Sequence, residues 1–290
     1  MVAWQEKIKY FSKHKRCGDL MDIKKVVHPK CIFCGTTDST QFNTKEHIIP
    51  ESLIGETYAL LPDGLYCDSC QNLFGSSIEQ QALGDYPFIN FRVLFSVPTK
   101  KRKTPWMETI VGKMHAGGNI GIVGFEENDS TQQEEIKSIV LPAFSRKPNM
   151  VLRMLLKIGI EVIAASQYPE MVFDQRYDAA RHYALTGEKN SKWFYIVNHD
   201  SESFNRYIKS GQISIEEWHS NIYAYIKYEA IGVEILYLRI LYLDFIVPLT
   251  ENVLPDEKLI HECNNKEPLM SLVYVLEQQM RWHRMCLMIF

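Results

Sequence analysis

The sequence predicts an α+β protein in which a small metal-bound unit is followed by a mixed helical and antiparallel-β region. Three observations predict this class. Two Cys-x-x-Cys pairs stand near the N-terminus, separated by residues 35–66. A run of Met, Leu, Ile and Val at 150–165 has the length of a buried helix, and aromatic residues alternate with other residues at 222–228, as in strands.

Composition places the chain among globular proteins. Its 290 residues are 46% hydrophobic and 12% aromatic, enough to bury one large core or two smaller ones, which excludes a disordered or fibrous chain. The net charge of −3 hides an uneven distribution, because residues 1–30 carry eight Lys or Arg and three acids, 8 − 3 = +5. This lead-in and the run "KKRK" at 100–103 can contact phosphate or simply face solvent, so charge alone does not identify the partner.

Cysteine usage and apolar patterning predict a cytoplasmic protein. Seven cysteines is an odd number, and four of them form close pairs in a chain too large to need disulfides, which favours a reducing compartment and metal ligation. Residues 1–17 mix charged with apolar residues, unlike a secretory signal. Glu234, Arg239 and Asp244 interrupt the most apolar stretch, so we expect core strands there and no membrane partner.

The order of elements divides the chain into three parts. We expect a basic lead-in at 1–30, the metal-bound unit at 31–84, and a mixed α+β region without assigned function at 85–290. A helix should begin near Cys67 or Asp68 and end at Gly84. From Phe88 to about Val123, β-rich runs broken by Pro and Gly predict a hairpin or small sheet.

The third part contains the clearest helix prediction, at 150–165. Arg153, Lys157 and Glu161 recur every four residues there, which predicts one solvated stripe on a core helix. The alternative for Arg153 and Lys157 is phosphate contact, but the solvated edge is the preferred interpretation and places both outside the site. Asp174 is expected to cap a second helix that ends before Gly187. The remaining expectations are strands at 193–197, 222–228 and 233–247, a polar connection at 126–135, and a helical stretch at 256–290.

The paired cysteines predict a structural zinc site. Cys31, Cys34, Cys67 and Cys70 have the two-by-two spacing that lets thiolates hold a tetrahedral Zn²⁺, and Gly35 suits the turn after the first pair. The alternative is a chance spacing of buried thiols. Four sulfur ligands leave no open coordination position, so any chemistry must come from other residues. The remaining cysteines, Cys17, Cys263 and Cys286, lack pair spacing.

Between the cysteine pairs stands "EHIIP", residues 46–50. With this motif, the sequence resembles the HNH endonuclease family, in its branch with a zinc-bound treble clef that supports a ββα-metal core. The family pattern is Cys-x-x-Cys, then Asp/Glu-His-Ile-Ile-Pro, then Cys-x-x-Cys-Asn-x-x-x-Gly, and it covers residues 31–75. The resemblance implies the fold of this part only.

The resemblance also implies roles for four residues. His47 would take a proton from water so that the hydroxide attacks phosphorus. Glu46 would supply an oxygen to a catalytic Mg²⁺ or Mn²⁺. Gln71 stands where many relatives place Asn or His as the second ligand of that ion, and its extra methylene can displace an ion that needs contacts of about 2.0–2.1 Å. Asn72 ranks second, since it would require the helix to rotate by about 100°.

Three functions remain open from sequence. The first is a metal-dependent DNA endonuclease whose Lys100, Lys101, Arg102 and Lys103 contact the nucleic-acid backbone. The second is a catalytically silent zinc module that binds nucleic acid or protein. Glu46 and His47 favour the first, and Gln71 favours the second. DNA is the expected partner, RNA stays open, and a partner protein that selects the target is compatible with the family. A third reading places the function in residues 88–290.

Overall fold

The computed structural model describes residues 28–54, 59–109, 112–127, 141–165, 169–188, 192–230, 233–251, 253 and 272–276. It confirms the α+β class, with helices and two antiparallel sheets. The helices are α1 (Glu51–Ile54), α2 (Asp68–Leu73), α3 (Gln80–Leu83), α4 (Phe88–Leu94), α5 (Pro148–Ala164), α6 (Asp178–Thr186), α7 (Ser201–Ser210) and α8 (Ile215–Ser220). The strands are β1 (Trp106–Glu108), β2 (Gly112–Ala116), β3 (Val123–Glu127), β4 (Trp193–His199), β5 (Ile222–Ala230), β6 (Val233–Ile240), β7 (Leu243–Pro248) and β8 (Leu272–Leu276).

The helix after the second cysteine pair begins and ends where the sequence predicts. Cys67 is the N-cap of α2, and its Sγ accepts a hydrogen bond from the Cys70 amide. A π-helical segment, Phe74–Glu79, joins α2 to α3. Gly84 is the C-cap of α3, with an ordinary φ of −89° in place of the left-handed conformation typical of terminal glycines. The result is one continuous helical rod with a wide turn in its middle.

The apolar run after this rod is a helix, and its prediction as strand was wrong. Phe88–Leu94 forms α4, in which Phe88 and Phe91 are fully buried. A short run that is apolar at nearly every position carries no periodicity that separates helix from strand. The predicted small sheet does exist further along, with the antiparallel order β1-β2-β3 and Met107 opposite Met114.

The larger sheet has five antiparallel strands in the order β5-β6-β7-β4-β8. The strands predicted at 193–197, 222–228 and 233–247 are confirmed as β4 to β7. Helices α7 and α8 were not predicted. The helical expectation for 256–290 was wrong at Leu272–Leu276, which pairs with β4 as β8. The rest of that expectation, most of the 126–135 connection and residues 1–27 of the lead-in lie outside the described residues.

Helix α5 is confirmed, and it lies between the cysteine-containing unit and the larger sheet. Gly159 lets it approach the sheet, because a Cβ there would stand 2.5 Å from Leu249 Cδ2. The predicted solvated stripe was wrong, since Lys157 and Glu161 are fully buried and Arg153 is only 9% exposed. Charges that recur every four residues are compatible with a solvated edge or a buried cluster, and contacts with the cysteine-containing unit decide between them.

The helix predicted to end before Gly187 is confirmed as α6. Asp174 caps the short 3₁₀ turn Gln175–Tyr177 that leads into α6, where its carboxylate accepts the Arg176 amide. Gly187 ends α6 with φ +74°, a conformation that favours glycine. Arg153 donates to the carbonyls of Ala184 and Leu185 and so satisfies the end of the same helix. Among the described residues, no helix is long and apolar enough to cross a membrane.

Candidate functional site

The four paired cysteines converge on one point. Their Sγ atoms all lie within 4.8 Å of one another, and the Sγ atoms of Cys34 and Cys67 are 3.6 Å apart. Sulfur atoms at 2.3 Å from a tetrahedral Zn²⁺ would stand about 3.8 Å apart, so the cluster fits a structural zinc ion. Gly35 closes the first turn with φ +73°. The predicted zinc ligands are therefore brought together by the fold.

The electrostatics of these thiols also point to a cation. Hydrogen bonding from the Cys70 thiol lowers the pKa of Cys31 to about 4. Burial, together with the nearby Cys31 charge, raises the pKa of Cys67 to about 11, and hydrogen bonding to Cys31 with burial raises that of Cys70 further. One thiolate thus suppresses ionisation of its neighbours, because like charges crowd a buried site. A bound Zn²⁺ removes that conflict by neutralising all four thiolates.

Glu46 and His47 lie on a short antiparallel ribbon. The Leu61 amide donates to the Glu46 carbonyl at 2.9 Å, and the Ile48 amide donates to the Ala59 carbonyl at 3.0 Å. His47 pairs with Leu60 across this ribbon. Because side chains alternate along an extended chain, Glu46 points into the protein, at 8% exposed, while His47 remains partly accessible. The ring Nδ1 of His47 is buried and has no hydrogen-bond partner among the described residues.

Helix α2 holds the segment that leads into this ribbon. The Asp68 carboxylate accepts hydrogen bonds from the backbone amides of Asn43 and Thr44 and from both side chains. One turn later, Gln71 Nε2 donates to the Lys45 carbonyl at 2.8 Å and to Glu46 Oε2 at 2.9 Å. The helix that carries the second cysteine pair thereby fixes the chain just before His47.

Beneath the ribbon, Lys157 of α5 enters a buried cluster of carboxylates, which we call the Lys157 cluster. Its Nζ lies 2.7 Å from Glu46 Oε1, 3.0 Å from Glu79 Oε1 and 3.1 Å from Glu161. The same ammonium stands 5.7 Å from the centre of the Tyr66 ring. Three carboxylates from three parts of the chain therefore share one ammonium that is 0% exposed.

The π-helical segment explains how Glu79 reaches this cluster. In a straight α-helix, residues eight apart such as Gln71 and Glu79 point about 80° away from one another. The i→i+5 bonds of the π segment add width to the turn and reduce that offset. As a result, Gln71 reaches Glu46 and Glu79 reaches Lys157 from one face of the helical rod.

Burial and charge assign protonation states within the cluster. Burial alone would lower the pKa of Lys157, but Glu161, Glu79 and Glu46 outweigh it and raise that pKa well above the usual value. Burial raises the pKa of Glu161 well above the usual value despite the nearby Lys157. Burial and the surrounding carboxylates also raise the pKa of Tyr66, so its phenol is neutral. Lys157 is therefore charged at neutral pH, and burial disfavours the charged form of Glu161.

The donor set that the sequence suggests for a divalent cation is engaged in hydrogen bonds within the protein. Each oxygen of Glu46 already accepts a hydrogen bond, Oε1 from Lys157 and Oε2 from Gln71. Both amide hydrogens of Gln71 are also engaged, which leaves only its Oε1 with lone pairs for a cation. Asn72 is exposed on the outer side of α2. Within the described part of the chain, the cysteines are the only set of three or more His, Cys, Asp or Glu side chains whose ligand atoms lie close enough together to hold a metal ion. The metal-ligand roles of Glu46, Gln71 and Asn72 stay predictions.

The basic run 100–103 forms an exposed turn beside this unit. The Thr99 amide donates to the Lys103 carbonyl at 3.0 Å, and Arg102 adopts φ +58° at the corner. Arg102 Nη2 lies 3.5 Å from Glu51 Oε1, at the start of the helix that follows "EHIIP". The Arg102–Glu51 contact therefore brings the turn to the start of α1, four residues after His47, although more than fifty residues separate the turn from His47 in sequence.

Comparison with known proteins agrees with this arrangement. Residues 31–86 match the family model described as HNH endonuclease. This segment is similar to HNH endonucleases, and we call it the HNH unit. No curated protein and no solved structure matches the chain. The HNH unit extends from the first zinc-type cysteine pair to the end of the helical rod and includes Glu46, His47 and Gln71. It supports a nuclease-like or zinc-binding nucleic-acid module.

Sequence reasoning found the local part of the site and missed the distant part. Cys31, Cys34, Cys67 and Cys70 converge, and Gln71 contacts Glu46. Lys157, Glu79 and Glu161 were not identified as neighbours of Glu46. A usable signal was present at Lys157 and Glu161, since two opposite charges four residues apart on a helix that is otherwise apolar indicate a buried pair as well as a solvated edge.

Proposed function

We infer that the chain is an HNH-type endonuclease that hydrolyses phosphodiester bonds in DNA, with His47 as the general base. The observation that supports this most is the position of His47 in the HNH unit. It lies on the accessible side of a ribbon whose other side is anchored by Glu46. A histidine there can meet a bound phosphate without being a ligand of the structural zinc.

His47 would act on a water molecule beside the scissile phosphate. A neutral imidazole nitrogen accepts a proton from that water, and the resulting hydroxide oxygen attacks phosphorus. The bond from phosphorus to the 3′ oxygen breaks, and that oxygen takes a proton from solvent. The Mg²⁺ or Mn²⁺ that the family resemblance implies would offset charge on the phosphate, and dependence on it stays a prediction that the cleavage assay checks with a chelator.

The basic turn supports nucleic acid as the substrate. Lys100, Lys101, Arg102 and Lys103 are all exposed, and the Arg102–Glu51 contact places them near the ribbon. Exposed cations at this position can contact the phosphates that flank a scissile bond. Such contacts carry no sequence information, so they hold DNA without selecting a site.

Plasmid nicking by His47→Ala tests the proposal. Removal of a positioned general base lowers the rate by about 10²–10⁴, while zinc content and the circular dichroism spectrum stay as in the wild type. His182→Ala is the matched control, because His182 is an exposed histidine outside the HNH unit. Equal cleavage by wild type and His47→Ala would assign the activity to another site or to a contaminant. Short RNA in the same assay tests the alternative substrate.

A second candidate function is a catalytically silent module that binds nucleic acid. The contacts of Glu46 with Lys157 and Gln71 favour it, because they occupy the oxygens that the family implies for metal. Gln71→Asn separates the two candidates, since it removes one methylene and places the commoner family residue after Cys70. DNA binding without cleavage by the wild type, with cleavage gained in Gln71→Asn, would support the silent module.

A further inference from the structure

The buried ammonium of Lys157 takes a place beside Glu46 that a cation would otherwise occupy. Its Nζ is 2.7 Å from Glu46 Oε1 and 0% exposed. The distance is that of a charge-assisted hydrogen bond. Lys157 reaches this point from α5, a helix outside the HNH unit, 111 residues along the chain from Glu46. Helix α5 thus supplies a positive charge to the HNH unit.

The surroundings make this ammonium a permanent partner. Glu79 and Glu161 also lie within 3.1 Å of its Nζ, so Lys157 cannot leave without stranding buried carboxylates. On the opposite side of α5, two residues further on and about 200° around the helix, Gly159 packs directly against Leu249 of the sheet region. That contact fixes the depth at which α5 lies, and so fixes Lys157.

A divalent cation bound to Glu46 would lie close to the Lys157 ammonium, because both would contact the same carboxylate. The two positive charges would repel each other strongly in a site that excludes water. The other oxygen of Glu46 accepts from Gln71 Nε2 at 2.9 Å, so no oxygen of this carboxylate is without a donor. The carboxylate is 8% exposed, which leaves little room for the waters that Mg²⁺ usually retains.

We propose that Lys157 is the resident cation of Glu46, so that Glu46 does not ligate a divalent cation, and that the pair is a positioning device for His47. The backbone of Glu46 pairs with Leu61, and its side chain is tied to α5, so the strand cannot turn about its own axis. His47 projects from the other side of that strand. The first half of this inference concerns binding alone, and the second half rests on the proposed role of His47.

Manganese binding to the zinc-loaded full chain tests the first half. Electron paramagnetic resonance titration of Mn²⁺ compares wild type with Glu46→Gln, and with Glu51→Gln as the matched control at a partly exposed glutamate of the same unit. We expect the Mn²⁺ affinity of Glu46→Gln to stay within twofold of the wild-type value, or neither protein to bind Mn²⁺. A loss of tenfold or more in Glu46→Gln, with Glu51→Gln unchanged, would overturn the inference.

The environment of His47 tests the second half. In Lys157→Met, the ring Cε1–H resonance of His47 in a ¹H–¹³C spectrum should shift and broaden, while that of His182 stays in place. Glu46→Gln should shift the same resonance in a chain that keeps all other partners of Lys157, and it serves where Lys157→Met fails to fold. An unchanged His47 signal in the folded variants would overturn the positioning role.

Cleavage kinetics then separate this inference from the proposed function. A positioning role predicts that Glu46→Gln lowers kcat at least tenfold and leaves KM within twofold, because substrate contacts are untouched. An unchanged kcat in that variant would contradict the positioning role while leaving the nuclease proposal intact. Absence of cleavage by the wild type would contradict the nuclease proposal, and the manganese and resonance measurements would still decide whether Lys157 is the cation of Glu46 and holds the strand.

Discussion

The cysteine cluster and the Lys157 cluster concentrate negative groups in the same HNH unit, but they obtain their cations differently. The four thiols come from two short segments of the unit and need a metal ion from solution. The carboxylates of Glu46 and Glu79 receive an ammonium from α5, beyond the matched segment. The comparison teaches that one site is self-contained and the other depends on the region that follows. The HNH unit is therefore built to remain attached to α5.

Zinc removal should reduce the stability of the HNH unit more than any other change to the two clusters. The protein should bind one Zn²⁺ per chain, and Cys67→Ser should lose that ion and most of the folding of the unit, because zinc-binding free energy in such sites is about 10–16 kcal/mol and is coupled to folding. Elemental analysis in reducing buffer and thermal unfolding by circular dichroism measure both effects.

Serine in place of an exposed residue of the same helix provides the control for that experiment. Asn72 is exposed two residues beyond Cys70, so Asn72→Ser should keep full zinc content. Less than half an equivalent of zinc in the wild type, or normal folding of Cys67→Ser, would contradict the structural zinc assignment.

The cysteine cluster could be predicted from the sequence and the Lys157 cluster could not, for a physical reason. The cysteine spacing is a local pattern, and tetrahedral ligation restricts it enough to be recognised without tertiary structure. The burial of Lys157 depends on Glu46, which is 111 residues distant, and on the π turn that redirects Glu79. No local pattern contains that information. The helix α4 shows the same limit, since its apolar run fits strand and helix equally until its neighbours are known.

Within the Lys157 cluster, the three carboxylates should differ in their contribution to stability. Burial raises the pKa of Glu161 well above its usual value and so disfavours its charged form, so Glu161→Gln should lower the free energy of unfolding by less than Glu46→Gln does. Glu46→Gln removes the charge closest to Lys157 and should cost about 3 kcal/mol, the lower end for loss of one partner of a buried pair. A typical domain stays folded after such a loss.

Urea unfolding of the zinc-loaded proteins at pH 7 measures this difference. Asp63→Gln is a suitable reference, because Asp63 is an exposed acid of the HNH unit outside both clusters. Equal losses of stability in Glu46→Gln and Glu161→Gln would refute the assignment of Glu46 as the main counter-ion of Lys157.

The basic turn is the exposed counterpart of these buried charges, and its effect on stability should be the smallest. Arg102 and Glu51 form a contact of 3.5 Å in which the Arg102 side chain is 68% exposed, and such pairs contribute less than about 1 kcal/mol. Replacement of Lys100, Lys101, Arg102 and Lys103 by Ser should therefore leave unfolding nearly unchanged. DNA affinity should respond instead, because each phosphate neutralised adds about 0.9 to the magnitude of the slope of log K against log salt.

Replacement of Lys192 and Lys209, exposed cations outside the HNH unit, is the control and should leave that slope unchanged. An unchanged affinity and slope in the four-residue variant would make the turn a solvated loop, and would leave the HNH unit without an identified set of cations to hold DNA beside His47.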